Sequence, residues 1–529
     1  MSRNVLIGGA WPYANNSLHL GHLAGLISGD ILARYHRVKG DNVVYVSGTD
    51  CHGSPITRRA KEENKSPEEI AKNYDEEFRK TFLDFGFSYN LYTLTHTDYH
   101  MEHVKKVFKK LYDNGYIYEK VEPQSFCEKC NKFLIDREIL ITCPKCGSTD
   151  AKADQCEACS YIPVIEDLKD GICYDCGTKN IQKDNKNLYF ALSKFQKQME
   201  QHLDKHKNTW RVNAINETQK YLKQGLLDRA VTRDLDWGVD IPFPGFDDKK
   251  MYVWVEAVLG YVTACMKYCE DNKLNWEDYW KEGNNNLMYM VHGKDNIVFH
   301  SIIFNSLLLG LNENYHLVDK IVSSEYLNMN DEKISKSKGN YVRAIDLLEK
   351  YAADSLRYYL INNGPEKKDS NFSTEHFEAT HNNEILNKYG NLVNRTLKFK
   401  ELEEIPNGTL NSDVEKEIEK TYKEVGFAIE KLDFKDATDK VMDLVEYANK
   451  FYDEQKPWVQ KKEDIEGFNN TIYTCAVIIA NLSNLFEPFM PFSSEKIRKY
   501  LEIPNVSWEK ISINSGIKLN NIEALFSRI

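Results

Sequence analysis

Ser17-Leu18-His19-Leu20-Gly21-His22, near the N-terminus, and Lys333-Ile334-Ser335-Lys336-Ser337-Lys338-Gly339-Asn340, far downstream, are the two stretches that decide how this chain is read. Before the first, Asn4 to Gly9 reads as a short buried strand, followed by a loop through Pro12 and Asn15-Asn16. Ser17 has the chemistry of an N-cap for a helix reaching about Val38, with Gly40 just past its end. In such a helix His19 and His22 fall one turn apart on one face. The backbone N–H groups and dipole of a helix start favour phosphate. Gly21 has no side chain, so a base or ribose can approach the backbone. The plainer account of the same six residues is a capped helix with two ordinary polar histidines.

The second stretch places Lys333, Lys336 and Lys338 among serines, with Gly339 and Asn340 after them. No apolar period runs from Asn328 to Asn340, which predicts a surface loop. Lysines on a mobile loop can close on a triphosphate and stabilise charge that develops in the transition state. A solvated lysine loop explains the run when it stands alone. The histidine motif upstream, in this order, makes a nucleotide site the better account.

A chain of 529 residues predicts roughly three or four domains at ~150 residues each. Its 69 Lys and Arg against 80 Asp and Glu leave a net charge of −11. Charge therefore does not advertise a nucleic-acid partner, and any RNA site must be a local basic surface on an acidic body. The N-terminus enters the first strand without a basic region and apolar leader. No stretch approaches the ~20 apolar residues of a membrane helix. A cytoplasmic enzyme without a membrane partner is expected.

Eight of the twelve cysteines form four CxxC pairs: Cys127/Cys130, Cys143/Cys146, Cys156/Cys159 and Cys173/Cys176. Where thiols stay reduced, such spacing means metal. Eight thiolates suit two tetrahedral four-cysteine zinc sites, closed to water and therefore structural. A redox reading lacks the thioredoxin-like context it needs. Spacing alone permits either nested or sequential pairing. Cys51, Cys265, Cys269 and Cys475 read as small core or surface residues.

Strands and helices alternate over residues 1–117, which predicts the first half of a parallel sheet. Asn42 to Ser47 is its second strand, Ser66-Pro67-Glu68-Glu69 opens a helix with a capping box, and Gly86 and Gly115 stop two helices. The cysteine cassette, 118–231, is read as an insertion between the halves of that sheet. The second half, 232–325, has candidate strands at Met251–Trp254 and Leu287–Val291. Ligands of such sheets bind at the carboxyl ends of strands, where Gly9 and Asp50 would lie. A lysine-loop region, 326–385, leads to a helical part, 386–529, with helical periods over Thr374–Leu402, Ser412–Leu432, Lys435–Tyr452 and Phe468–Phe486. The fold class is thus an α/β Rossmann-like catalytic core with an inserted zinc-knuckle domain, followed by an all-α bundle.

The two motifs and the cassette between them resemble class I aminoacyl-tRNA synthetases, and further blocks are similar to the methionyl-tRNA synthetase family. These are Pro12-Tyr13-Ala14-Asn15, Gly48-Thr49-Asp50-Cys51-His52-Gly53, Tyr252-Val253-Trp254 with Gly260-Tyr261, and Gly293-Lys294-Asp295 through Phe299-His300. In the helical part, Asn391-Leu392-Val393-Asn394-Arg395 and Asp453-Glu454-Gln455-Lys456-Pro457-Trp458 resemble the family's anticodon-reading helices. The resemblance covers nearly the whole chain and implies nested zinc knuckles. Three departures from the family are Trp11, where a smaller apolar residue is usual, Glu256 in place of aspartate, and Val258 in place of a proline found in some relatives.

The resemblance implies that methionine and ATP form methionyl-adenylate and pyrophosphate, and that the methionyl group then passes to the terminal adenosine of tRNA(Met), initiator and elongator. His19, His22, Lys333 and Lys336 would carry catalysis. Gly21, Gly293 and Asp295 would join them around ATP, which would bring magnesium. Trp11, Tyr13, Asp50, Trp254, Ala257, Tyr261 and His300 would hold methionine, whose polarizable sulfur favours aromatic contact. Asp50 would take the ammonium group, and the Tyr13 hydroxyl and His300 would lie near the thioether. Asn391, Arg395 and Trp458 would read the anticodon, with Trp458 suited to stacking on a splayed base; periodicity by itself makes Trp458 a core residue. No OB-fold extension of the dimerising kind is found, so a monomer is expected. Leucyl, isoleucyl and valyl enzymes need a large editing domain, for which this insertion is too small. A small-molecule adenylyltransferase shares the histidine motif but would not need the helical bundle, and a non-catalytic zinc-ribbon module would not need the ATP motifs.

Overall fold

The computed structural model describes residues 2–134, 138–153, 156, 159, 161, 163, 165–329, 332–333 and 341–529. Five parallel strands stand at its centre: β1 (Asn4–Gly9), β2 (Asn42–Thr49), β3 (Leu91–Leu94), β4 (Asn286–Gly293) and β5 (Lys320–Ser324), in the order β5-β4-β1-β2-β3. β1 is the middle strand and is covered on both faces, which accounts for its unbroken apolar run; Val5, Leu6 and Ile7 are fully buried. Its register pairs Asn4 with both Asn42 and Asn286, and Gly9 with Val291. The carboxyl ends of β1, β2 and β4 therefore share one edge, the edge at which parallel sheets bind ligands.

The first helix, α1 (Leu20–Val38), begins later than its sequence predicts, with His19 rather than Ser17 as the N-cap. Long-range bonds cause the shift. The Leu18 carbonyl accepts from Ala344 N–H, and the Ser17 carbonyl accepts from the Tyr341 hydroxyl, so neither residue is free to open the helix. The far end matches expectation: Lys39 caps the helix and Gly40 follows at φ +87°. Ser66 and Glu69 form the expected capping box, and Gly86 and Gly115 sit at φ +84° and +74° past their helices.

Two expected elements differ. Met251–Trp254 is not a strand of the parallel sheet. Lys250–Met251 pairs antiparallel with Thr232–Arg233, and the chain then turns at Tyr252 into the helix Val253–Glu256. The stretch expected as a loop from Asn328 begins in a small sheet, where Leu327–Met329 runs parallel to Ser370–Phe372 and antiparallel to Glu332–Lys333. Lys336 and Lys338 lie outside the described residues.

Between β3 and β4 the chain builds a long antiparallel ribbon from Ile117–Cys127 and Ile181–Phe190, paired from Ile117↔Phe190 to Phe126↔Ile181. Its tip carries the cysteine module, with three short strands at Ile139–Ile141, Ala151–Lys152 and Ile172–Cys173 and a small core of its own. After the central sheet come helices at Ser412–Glu430, Phe434–Gln455, Ile465–Leu485 and Pro491–Tyr500. The helical run expected over Thr374–Leu402 has a π-helical middle, His381–Gly390, and ends at Leu397. One hydrophobic core passes from Val5 and Ile7 through α1 to Val425 and Ile478, so the bundle is packed against the sheet. Arg357, fully buried, ties the two: it bonds Asp30 of α1 at 2.7 Å and the carbonyls of Pro488 and Phe489 at 3.0 and 2.8 Å. No helix among the described residues is long and apolar enough to cross a membrane.

Candidate active site

A cavity of about 530 Å³ opens at the carboxyl edge of the sheet. Trp11, Tyr13, His19, Gly21, His22, Trp254, Gly293 and Asp295, all expected from the sequence, line it. The two histidines are fixed by backbone donors. Gly21 N–H donates to His19 Nδ1 at 3.1 Å, and His19 N–H donates to His22 Nδ1 at 3.1 Å. A peptide N–H can only donate, so both Nδ1 atoms are bare acceptors and each neutral ring carries its proton on Nε2. Burial, with His22 adding to it, pushes His19 down to about 2, and burial pushes His22 down to about 4. The site thus holds two uncharged N–H donors at a helix N-terminus, a setting that favours phosphate oxygens.

The second motif reaches this helix through the residues after it. Tyr341 lines the cavity, and its ring stands edge-on to His19 with centroids 5.8 Å apart. Of Lys333 the backbone is placed, paired with Asn328.

Trp11 fits where a smaller residue is usual because two glycines make room for it. A Cβ on Gly48 would come within 2.3 Å of Trp11 Cζ3, and one on Gly260 within 2.7 Å of Cζ2. Trp254 stacks on Phe299 at 4.3 Å and meets Tyr13 edge-on at 5.8 Å. Asp50, Ala257, Tyr261 and His300 are buried behind this aromatic wall and do not line the cavity. Asp50 is bridged to Tyr13 through the backbone. Tyr261 packs edge-on against Trp11 at 6.3 Å and its hydroxyl lies 2.8 Å from His300 Nε2. His300 Nδ1 lies 2.8 Å from the Asn296 carbonyl and must donate to it, so Nε2 accepts from the tyrosine. Burial holds His300 neutral, down to about 4.

The eight cysteines gather as two tetrads, Cys127/Cys130/Cys173/Cys176 and Cys143/Cys146/Cys156/Cys159, the nested arrangement. Their cross-pair sulfur separations are 3.4 and 3.9 Å in the first, and 3.7 and 3.7 Å in the second. Thiolates bound at ~2.3 Å around a tetrahedral ion stand ~3.8 Å apart, so both tetrads fit a metal ion.

In the helical part, Arg395 and Trp458 meet on one aromatic ring. The Arg395 guanidinium lies 4.1 Å from the Tyr452 ring centre and pairs with Asp453 at 2.8 Å, while Trp458 sits 6.2 Å from the same ring. Trp458 is 49% exposed, which removes the core reading. Asn391, also exposed, is one turn before Arg395. The sequence assigns no role to several neighbours of the site: Phe299 behind Trp254, Tyr341 beside His19, and a buried cluster of His52, His100 and Glu256.

A parallel sheet carrying a helix start with this histidine pair, interrupted by a cysteine module and backed by a helical bundle, defines a class I aminoacyl-tRNA synthetase. The family of class I tRNA synthetases (M) matches residues 5–397, and the anticodon-binding domain of tRNA ligases matches 411–523. The chain belongs to the methionine–tRNA ligase family. It is 46% identical to methionine–tRNA ligase 1 of Alkaliphilus oremlandii, covering 99% of this chain and 97% of that protein. It is 47% identical to methionine–tRNA ligase of Bacillus mycoides, with the same coverage of both. A solved structure of Mycobacterium tuberculosis methionyl-tRNA synthetase in complex with methionyl-adenylate superposes with a TM-score of 0.82 over 99% of this chain and 100% of that one; at 24% identity that likeness speaks for the fold.

Proposed function

We infer that this chain ligates methionine to tRNA in two steps, forming methionyl-adenylate from methionine and ATP and then transferring the methionyl group to the terminal adenosine of tRNA(Met). Family membership carries the reaction, and the observation that supports our placement of its chemistry is the paired Nδ1 anchoring of His19 and His22. Their Nε2–H groups donate to the phosphates of ATP as the methionine carboxylate attacks the α-phosphate in line. Positioning and charge stabilisation suffice, without a covalent enzyme intermediate. Lys333 and Lys336 act on the β- and γ-phosphates with magnesium that enters with ATP, and Gly21, Gly293 and Asp295 receive the nucleoside. Methionine takes the pocket behind Trp11, Tyr13 and Trp254, walled by Ala257, Tyr261 and His300, with its ammonium on Asp50; the wall must part to admit it.

The cysteine tetrads hold two structural zinc ions, which stabilise the module by reinforcing a core too small to hold it alone. Asn391, Arg395 and Trp458 read the anticodon of tRNA(Met), initiator and elongator. The enzyme works as a monomer in the cytoplasm. ATP–pyrophosphate exchange with each amino acid, tRNA omitted, tests the activation step. Stimulation by methionine alone is expected; stimulation mainly by another amino acid overturns the pocket assignment.

A further inference from the structure

Behind the cavity lies a set of buried titratable groups that the reaction described above does not use. Glu256 is wholly buried, and each of its carboxylate oxygens is taken by an imidazole: Oε1 by His52 Nδ1 at 2.8 Å, Oε2 by His100 Nε2 at 2.9 Å. A carboxylate accepts and does not donate, so both nitrogens present protons to it. The rings are themselves held. His52 Nε2 is 3.0 Å from His96 Nδ1, and His100 Nδ1 is 2.8 Å from Thr263 Oγ1. Burial opposes a charge on Glu256, but the two imidazoles prevail and hold it down at about 2.

Asp50 is the second carboxylate of this dry region, 1% exposed. Among the described residues it accepts one long bond, from His52 N–H at 3.4 Å, and pairs with no cation. Burial first, and the charge on Glu256 second, push Asp50 well above the usual carboxylate range. Two neighbouring carboxylates out of water cannot both ionise cheaply. The imidazole clamp decides between them: Glu256 keeps the charge and Asp50 the proton. The other titratable groups facing Asp50 do not alter this. Cys51, beside it in the chain, and Tyr261, on the helix Gly260–Asp271, are pushed up by burial and stay neutral. His96 is pushed down by burial and by His52. Asp75, on the helix Pro67–Asp84, accepts from the Thr49 hydroxyl at 2.7 Å.

We propose that Glu256, clamped by His52 and His100, is a positioning group that keeps Asp50 protonated until the substrate ammonium arrives, so that methionine binding expels a proton. The proposal rests on the reading that Asp50 receives the ammonium. The carboxylic acid of Asp50 gives its proton to solvent, the resulting carboxylate pairs with the –NH3+ of methionine, and no other bond forms or breaks. An uncharged ligand of the same shape would leave the proton on Asp50, so proton release reports the arrival of a cationic amino group.

Calorimetric titration of the full chain with L-methionine, in two buffers of different ionisation enthalpy, counts the protons. Proton release on binding is expected, with Kd rising by up to about tenfold per pH unit as pH falls. In Glu256→Gln, loss of the neighbouring charge lowers Asp50 while burial still opposes its ionisation, so proton release falls and its pH profile moves to lower pH; Glu256→Asp keeps a carboxylate and restores it. Binding by the unaltered chain without proton release between about pH 5.5 and 8, while Asp50→Asn abolishes binding, overturns the proposal and leaves the ammonium assignment standing. Unchanged release in a folded Glu256→Gln also overturns it. Asp50→Asn binding as tightly as the unaltered chain overturns the ammonium assignment and the proposal together.

Discussion

Ala344 donates its backbone N–H to the carbonyl of Leu18 at 2.7 Å. The segment that follows the lysine string is thereby stitched to the residue before His19, and Tyr341 adds its hydroxyl to the Ser17 carbonyl. Tyr341→Phe removes that donor, at a cost of about 0.5–1.5 kcal/mol. The expected result is a roughly two- to tenfold rise in KM for ATP in pyrophosphate exchange, with KM for methionine unchanged. An unmoved ATP KM would mean that the hydroxyl does not hold the two motifs together.

Because His19 and His22 are pushed down to about 2 and about 4, both remain neutral N–H donors at every pH at which the protein is ordinarily handled. At saturating methionine and ATP, kcat for exchange should show no acid limb near the usual histidine range. His22→Ala, which deletes one donor, should lower kcat by about 10²–10³. An acid limb near pH 6.5 that disappears in His22→Ala would contradict the neutral assignment.

The seat of Trp11 can be tested by compensation. Gly260→Ala puts a methyl group against the indole, since all three nearest atoms belong to Trp11, and overpacking of this kind costs about 1–3 kcal/mol. Trp11→Leu should relieve that clash, so the double variant should be more stable than the sum of the singles predicts. Thermal unfolding of the four proteins reads the coupling; strict additivity sinks the account. Gly48→Ala should be rescued less, because its Cβ would also stand 2.5 Å from the Thr93 carbonyl.

Asp30 and Arg357 are an ion pair with both side chains fully buried. Arg357→Met should destabilise the chain by about 3–5 kcal/mol, because it strips Asp30 of one of its partners. Burial would raise Asp30, but Arg34 and Arg357 outweigh it and hold the carboxyl at about 2. Its folded value thus lies below its unfolded one. The stability it contributes is present above about pH 4 and is lost as pH falls toward 2. Acid unfolding of Arg357→Met should start at a higher pH than that of the unaltered chain.

Metal analysis of the purified chain should give two zinc ions per molecule. Cys143→Ser should give one, since it breaks one tetrad and leaves Cys127, Cys130, Cys173 and Cys176 in place. Loss of both ions from that variant would show that the tetrads do not bind independently.

Features whose physics is local can be read from the chain alone: the Ser66–Glu69 capping box, the glycine stops at Gly86 and Gly115, and the four CxxC pairs. Features set by distant partners cannot. The N-cap at His19 depends on bonds from Tyr341 and Ala344. The Glu256 clamp joins His52 and Glu256 across 204 residues, and neither residue stands in a pattern that announces the other. Trp458 looks like a core position by its helical neighbours, and becomes a surface ring because Pro457 starts a new helix after Lys456 at φ +50°. Trp11 looks too large for its place until Gly48 and Gly260 are seen against it.

The pairing of Asn4 with Asn286 bears on how the chain comes off the ribosome. β1 is made well before β4, so one of its two edges stays open until β4 has been translated. For most of that interval the exposed edge is a site for wrong pairing, and closing so long a loop makes this docking slow. The ribbon and cysteine module emerge in between, with a core and metal ligands of their own. They can be complete before the sheet that surrounds them is, so the pairing of β1 with β4 closes the sheet around an already finished insert.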